Sequence, residues 1–175
     1  RMQADSARMV AEAMERAGIG PDAPVAMIGH SQGGIVAATL ASDLKDAHDI
    51  EHVVTAGSPV ANHPIPESTW VTSVEMDDEL VAALDGAVNP NTEHWLTVQG
   101  TVSQTPDDGS LFTGTEVQDA PDTTAITHWP KYHQAAYRNA SDMGSAALEN
   151  HERHFRNVID GDLEEVTYWQ GRMSK

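Results

Sequence analysis

From Ser6 to Ala17 the apolar residues Met9, Val10, Ala13, Met14 and Ala17 recur on one helical face, with Asp5 or Ser6 placed to cap the start and Gly18 to end it. The turn sequence GPDAP leads into Val25-Ala26-Met27-Ile28, a short apolar run without alternation, the pattern of a parallel strand buried on both faces. A second helix is predicted from about Gly33 to Asp46, with Ile35, Val36, Leu40 and Leu44 turned inward. Three more apolar runs, Val53 to Ala56, Val71 to Val74 and Trp95 to Val98, predict strands. Gln104 to Thr127 is rich in Pro, Asp, Gly and Thr and reads as one long loop. From Tyr132 the pattern is helical again, Leu148, Phe155 and Ile159 sharing a face until Gly161. Strands alternating with helices predict an α/β fold with a mainly parallel sheet flanked by helices.

At 175 residues the chain has the length of a single domain, 1–175, built on one core. Its longest mainly apolar stretch, Ile35 to Ala41 with Thr39 inside it, is far short of the ~20 residues of a membrane span. The formal net charge of −17 repels nucleic acid and anionic membranes, and no Lys/Arg cluster offsets it locally, so no nucleic-acid partner and no membrane span are expected. There is no cysteine, hence no disulfide framework and no thiolate chemistry. Localisation is left open by these features.

The candidate chemistry lies in Gly29-His30-Ser31-Gln32-Gly33-Gly34, directly after the first apolar run. A serine at a sharp strand-to-helix turn is held in a strained conformation that lifts its hydroxyl clear of the sheet, and side chains two residues either side would collide there. Glycine at Gly29 and Gly33 avoids both collisions, and Gly34 lets the helix approach the sheet. The helix N-terminus supplies a donor for a developing oxyanion, the backbone N–H of Gln32. Gly-x-Ser-x-Gly alone recurs by chance in about one chain in twenty of this length; the flanking strand and helix make it specific.

The stretch VAMIGHSQGGIVAATLA resembles the nucleophile elbow of the α/β-hydrolase superfamily, and VVTAGSPV followed by VTSVEMDDELVAAL resembles the continuation in its lipase-like members. The resemblance runs over roughly Ala23 to Asp160 and implies a serine hydrolase acting on a small-molecule ester without cofactor or metal, its triad in the order serine, acid, histidine. In that register Glu79 takes the acid position, with Asp78 as its rival. Of nine histidines, His30, His48, His52 and His63 precede the acid, His94 opens a strand, and His151 and His154 have the wrong spacing for a two-histidine zinc helix. His128 and His133 remain; His128 closes the long loop ahead of WPKYHQAAY, which resembles the family's histidine loop, and this resemblance makes it the expected base, ahead of His133. The resemblance also implies strands and an oxyanion loop before the first helix. The chain is thus expected to be the C-terminal portion of the domain, lacking its N-terminal strands and needing an upstream segment of the same polypeptide. The same triad would serve an acyltransferase or a thioesterase, and a noncatalytic hydrolase-like binding domain is the reading from another class.

Overall fold

The computed structural model describes residues 2–76, 86–100 and 130–172. Asp78, Glu79, His128 and the long loop Gln104 to Thr127 lie outside the described residues. The elements follow in the order α1 (Met2–Arg16), β1 (Pro24–His30), α2 (Gln32–Asp43), β2 (Asp49–Ala56), β3 (Trp70–Met76), β4 (Trp95–Gly100), α3 (Pro130–Asp142) and α4 (Ala146–Ile159). The four strands form one parallel sheet in the order β1-β2-β3-β4, as the alternation of strand and helix predicts. No described helix is long and apolar enough to cross a membrane.

Strand alternation sends successive side chains to opposite faces, and the two faces bury different partners. On one, Val53, Val71 and Trp95 pack against Ile35, Ala37, Ala38 and Ala41 of α2, and α1 covers α2 through Ala7 against Val36 and Leu40. On the other, Val74 and Val98 pack with Leu148 of α4 and with Ala136, Tyr137 and Ala140 of α3. The last two helices are joined by polar contacts as well: Tyr137 and Ser141 both donate to the Glu152 carboxylate, at 3.0 and 2.8 Å. Burial and that bond push the Tyr137 phenol up to about 12.

Three expectations are corrected. The first strand is not buried on both faces: Ile28 is 72% exposed, because β1 is an edge of the described sheet. The helical pattern after Tyr132 is two helices, broken where Gly144 turns with φ 72 and Ser145 caps the next start by accepting from Leu148 N–H. The second helix is also shorter than its pattern suggests, ending at Asp43 with Leu44 as its C-cap.

Candidate active site

β1 ends at His30 and α2 begins at Gln32, so a single residue, Ser31, makes the turn between them. Its backbone has φ 56 and ψ −124, and it is the one non-glycine residue with positive φ among the described residues. Such a conformation costs about 1–3 kcal/mol and persists where the surroundings over-determine it. Here Ser31 N–H donates to the Ala56 carbonyl at the end of β2 (2.9 Å), and Gly34 N–H donates back to the Ser31 carbonyl (3.1 Å). A serine in the ordinary N-cap conformation turns its oxygen onto the first helical N–H groups. Ser31 makes no such capping bond, and its hydroxyl is not committed to the helix it precedes.

The glycines divide the work differently from the symmetric expectation. A Cβ on Gly29 would lie closer than 3.0 Å to the backbone of Gly33 and Gly34, whereas one on Gly33 would meet nothing within 4 Å. The collision expected at Gly33 is absent because the tight approach is made by the strand passing under the first turn of α2, which puts Gly33 backbone, not its side-chain direction, at the contact. Gly34 is the second crowded position, its missing Cβ replaced by Ser58 and Thr55 at the end of β2. Gln32 opens the helix, so its N–H falls in the first turn, where α2 has no acceptor of its own to offer.

Around this turn, the ring of His30 meets the ring of His133 edge to face, with centroids 5.8 Å apart. His133, the second candidate for the base, is buried on α3. The segment Ala61 to Thr69 lines a cleft of about 650 Å³ together with residues between Pro90 and Trp95, and Ser31 is not part of its wall. The reason is topological: parallel neighbours need a crossover, so the segment after Ala56 runs from the C-terminal end of β2 back to the opposite end of the sheet, where β3 starts.

Residues 4–105, more than half of the 175, match the PGAP1-like alpha/beta domain family. The protein belongs to that α/β-hydrolase family, which is related to lipases and esterases. No curated protein and no solved structure matches the chain. The family match takes in α1 and all four strands, hence the whole elbow, and stops ahead of α3 and α4. For a PGAP1-like domain the four-strand parallel sheet with helices on both faces is a partial α/β-hydrolase fold.

Sequence reasoning passed over one constellation altogether. His52, His151 and His154 come together on the α4 face of the sheet, with His94 close by. A signal was present: His151, His154 and Phe155 share a helical face at spacings of three and four, and that face had to meet something buried. Nothing in the pattern told which strand residue would meet it.

Proposed function

We propose that the protein is a serine hydrolase that cleaves carboxylic esters through an acyl-enzyme. The observation that carries the reading is Ser31, held at positive φ between a strand and a helix with its hydroxyl off the helix cap. In the proposed reaction Ser31 Oγ attacks the ester carbonyl carbon and its proton passes to His128. The tetrahedral oxyanion accepts from Gln32 N–H; on collapse the C–O bond breaks and the alcohol leaves with the proton from His128. Water, giving a proton to His128, then attacks the acyl carbon; the bond to Ser31 Oγ breaks, His128 returns the proton to Oγ, and the acid leaves. Glu79, or Asp78 in its place, fixes the tautomer of His128 and stabilises the imidazolium.

The second oxyanion donor belongs, in this reading, to an upstream segment of the same polypeptide lying beside β1, whose place at the edge of the described sheet and exposed Ile28 would receive it. The sequence from Gln104 to Thr127 carries no large apolar cluster of the kind that covers long lipid chains, which favours short or medium acyl groups. An acyltransferase or thioesterase would use the same residues and differ only in acceptor or leaving group.

The test is hydrolysis of a chain-length series of nitrophenyl esters by the full-length protein. Ser31→Ala and His128→Ala are each expected to lower kcat on the order of a millionfold, with KM little changed. Of Glu79→Gln and Asp78→Asn, the one that costs on the order of ten-thousandfold identifies the acid. Unchanged turnover in His128→Ala with loss in His133→Ala would move the base to α3, and a folded protein with no turnover on any ester would favour a binding domain.

A further inference from the structure

The histidines on the α4 face form a series. His52 of β2 is fully buried and His151 of α4 is 2% exposed. His154 Nδ1 lies 3.0 Å from His52 Nδ1, His52 Nε2 2.8 Å from Thr72 Oγ1, Thr72 Oγ1 3.0 Å from His151 Nδ1, and His151 Nε2 3.1 Å from the Glu93 carbonyl oxygen. At the outer end His154 Nε2 faces the Glu51 carboxylate at 3.4 Å. Trp70 stacks on the rings of both His154 and His94. The ladder between β1 and β2 skips one residue here, Val25 pairing with Ile50 and Ala26 with His52, so Glu51 is a bulge. Such a bulge re-aims the side chains beside it.

The Glu93 carbonyl fixes the protons along the series as far as His154 Nδ1. A carbonyl only accepts, so His151 carries its proton on Nε2, and its Nδ1 accepts from the Thr72 hydroxyl. Thr72 Oγ1, its one proton used, accepts from His52 Nε2–H. His52 Nδ1 is then a lone pair, and the donor facing it is His154 Nδ1–H. The complete network has His52 and His151 neutral, with His154 donating from Nδ1 while its Nε2 faces the Glu51 carboxylate. A second proton on His52 would set N–H against N–H; on His151 it would drive the Thr72 proton from its acceptor.

We propose that this network is a pH-sensitive latch that holds α4 on the sheet, closed while His52 and His151 are neutral and opened by a further proton on either ring. Desolvation, then the neighbouring rings of His154 and His151, push His52 down to about 3, and desolvation lowers His151 as well. Around the network stand Glu51 on β2, Glu93 and His94 ahead of β4, and Glu152 on α4, with Arg138 and Asp142 of α3 and His30 of β1 further along the same cleft. Glu51 already holds His154, and Glu152 is taken by Tyr137 and Ser141. Neither is placed to compensate a charge on His52 or His151. Both buried rings bind protons less tightly folded than unfolded, so the latch is intact above the ordinary histidine value of 6.5 and weakens as pH falls below it, until His52 is protonated near 3. Its release opens one wall of a cleft of about 710 Å³ that His52, Thr72 and His151 help to line.

The test is amide hydrogen exchange on the full chain from pH 7 to 4, corrected for intrinsic rates, with histidine ¹⁵N spectra over the same range. The latch predicts that α4 protection falls by about tenfold per pH unit for each proton taken up below about 6, while β2 and β3 keep theirs. It also predicts that His52 and His151 remain neutral Nε2–H tautomers while α4 is docked. His52→Gln, which can accept from His154 and donate to Thr72 without titrating, should lower that slope by one proton. The proposal is overturned if His52 and His151 titrate near 6.5 with α4 still protected, or if α4 and the sheet lose protection together at every pH. Should His52→Gln not fold, the wild-type measurements decide alone.

Discussion

A serine held at φ 56 needs neighbours that leave it no other place, and at this turn the neighbour is Gly29. Gly29→Ala drives a methyl into the backbone of Gly33 and Gly34, which cannot move without shifting the start of α2. The expected cost is about 1–3 kcal/mol, several degrees of Tm in thermal unfolding. Gly33→Ala is the contrast: its methyl meets no atom, and alanine is favoured over glycine in a helix by up to about 1 kcal/mol, so Tm should hold or rise. Equal losses in the two variants would contradict the geometry. The motif itself was legible, because a serine flanked by glycines after an apolar run has few other uses. Which glycine is crowded was not legible, since that depends on how closely the helix passes over the strand. The histidine series was hidden for a related reason: His52, Thr72 and His151 are far apart in sequence, and only packing brings them within hydrogen-bond distance.

Among the elements, all four strands were visible as apolar runs, each extending beyond its predicted ends where polar residues such as Asp49 and Glu75 still join the ladder. Hydrophobicity marks what a strand buries; its length is set by backbone pairing with the next strand. The exposure of Ile28 was not readable, because an apolar run looks the same at an edge as in the centre of a sheet. The helices α3 and α4 were read as one stretch since Gly144 and Ser145 interrupt the apolar face only briefly. Ser145 is the hinge of that break, accepting from Leu148 N–H at 3.4 Å. Ser145→Ala should lower stability by about 1 kcal/mol in urea unfolding with the m-value unchanged. A change in m instead would mean that α3 and α4 no longer dock as a pair.

The molecule as a whole divides its two candidate devices between the ends and faces of one sheet. Ser31 stands at the C-terminal end of β1, while the histidine series lies under α4, clamping the last helix to β2 and β3. The net charge of −17 is spread over a chain with few cations, so self-repulsion adds to whatever loosens on acidification or at low salt. Family membership rests on the part of the chain that holds the elbow and the sheet; His128, Glu79 and Asp78 enter through the order of the triad alone. The account therefore turns on whether Ser31 is a nucleophile. Labelling of the full-length protein with a fluorophosphonate, followed by mass mapping of the adduct, tests this most directly. The account predicts one adduct, on the peptide carrying Ser31, absent in Ser31→Ala and strongly slowed in His128→Ala. A folded protein that takes up no label, or takes it up elsewhere than Ser31, would contradict it.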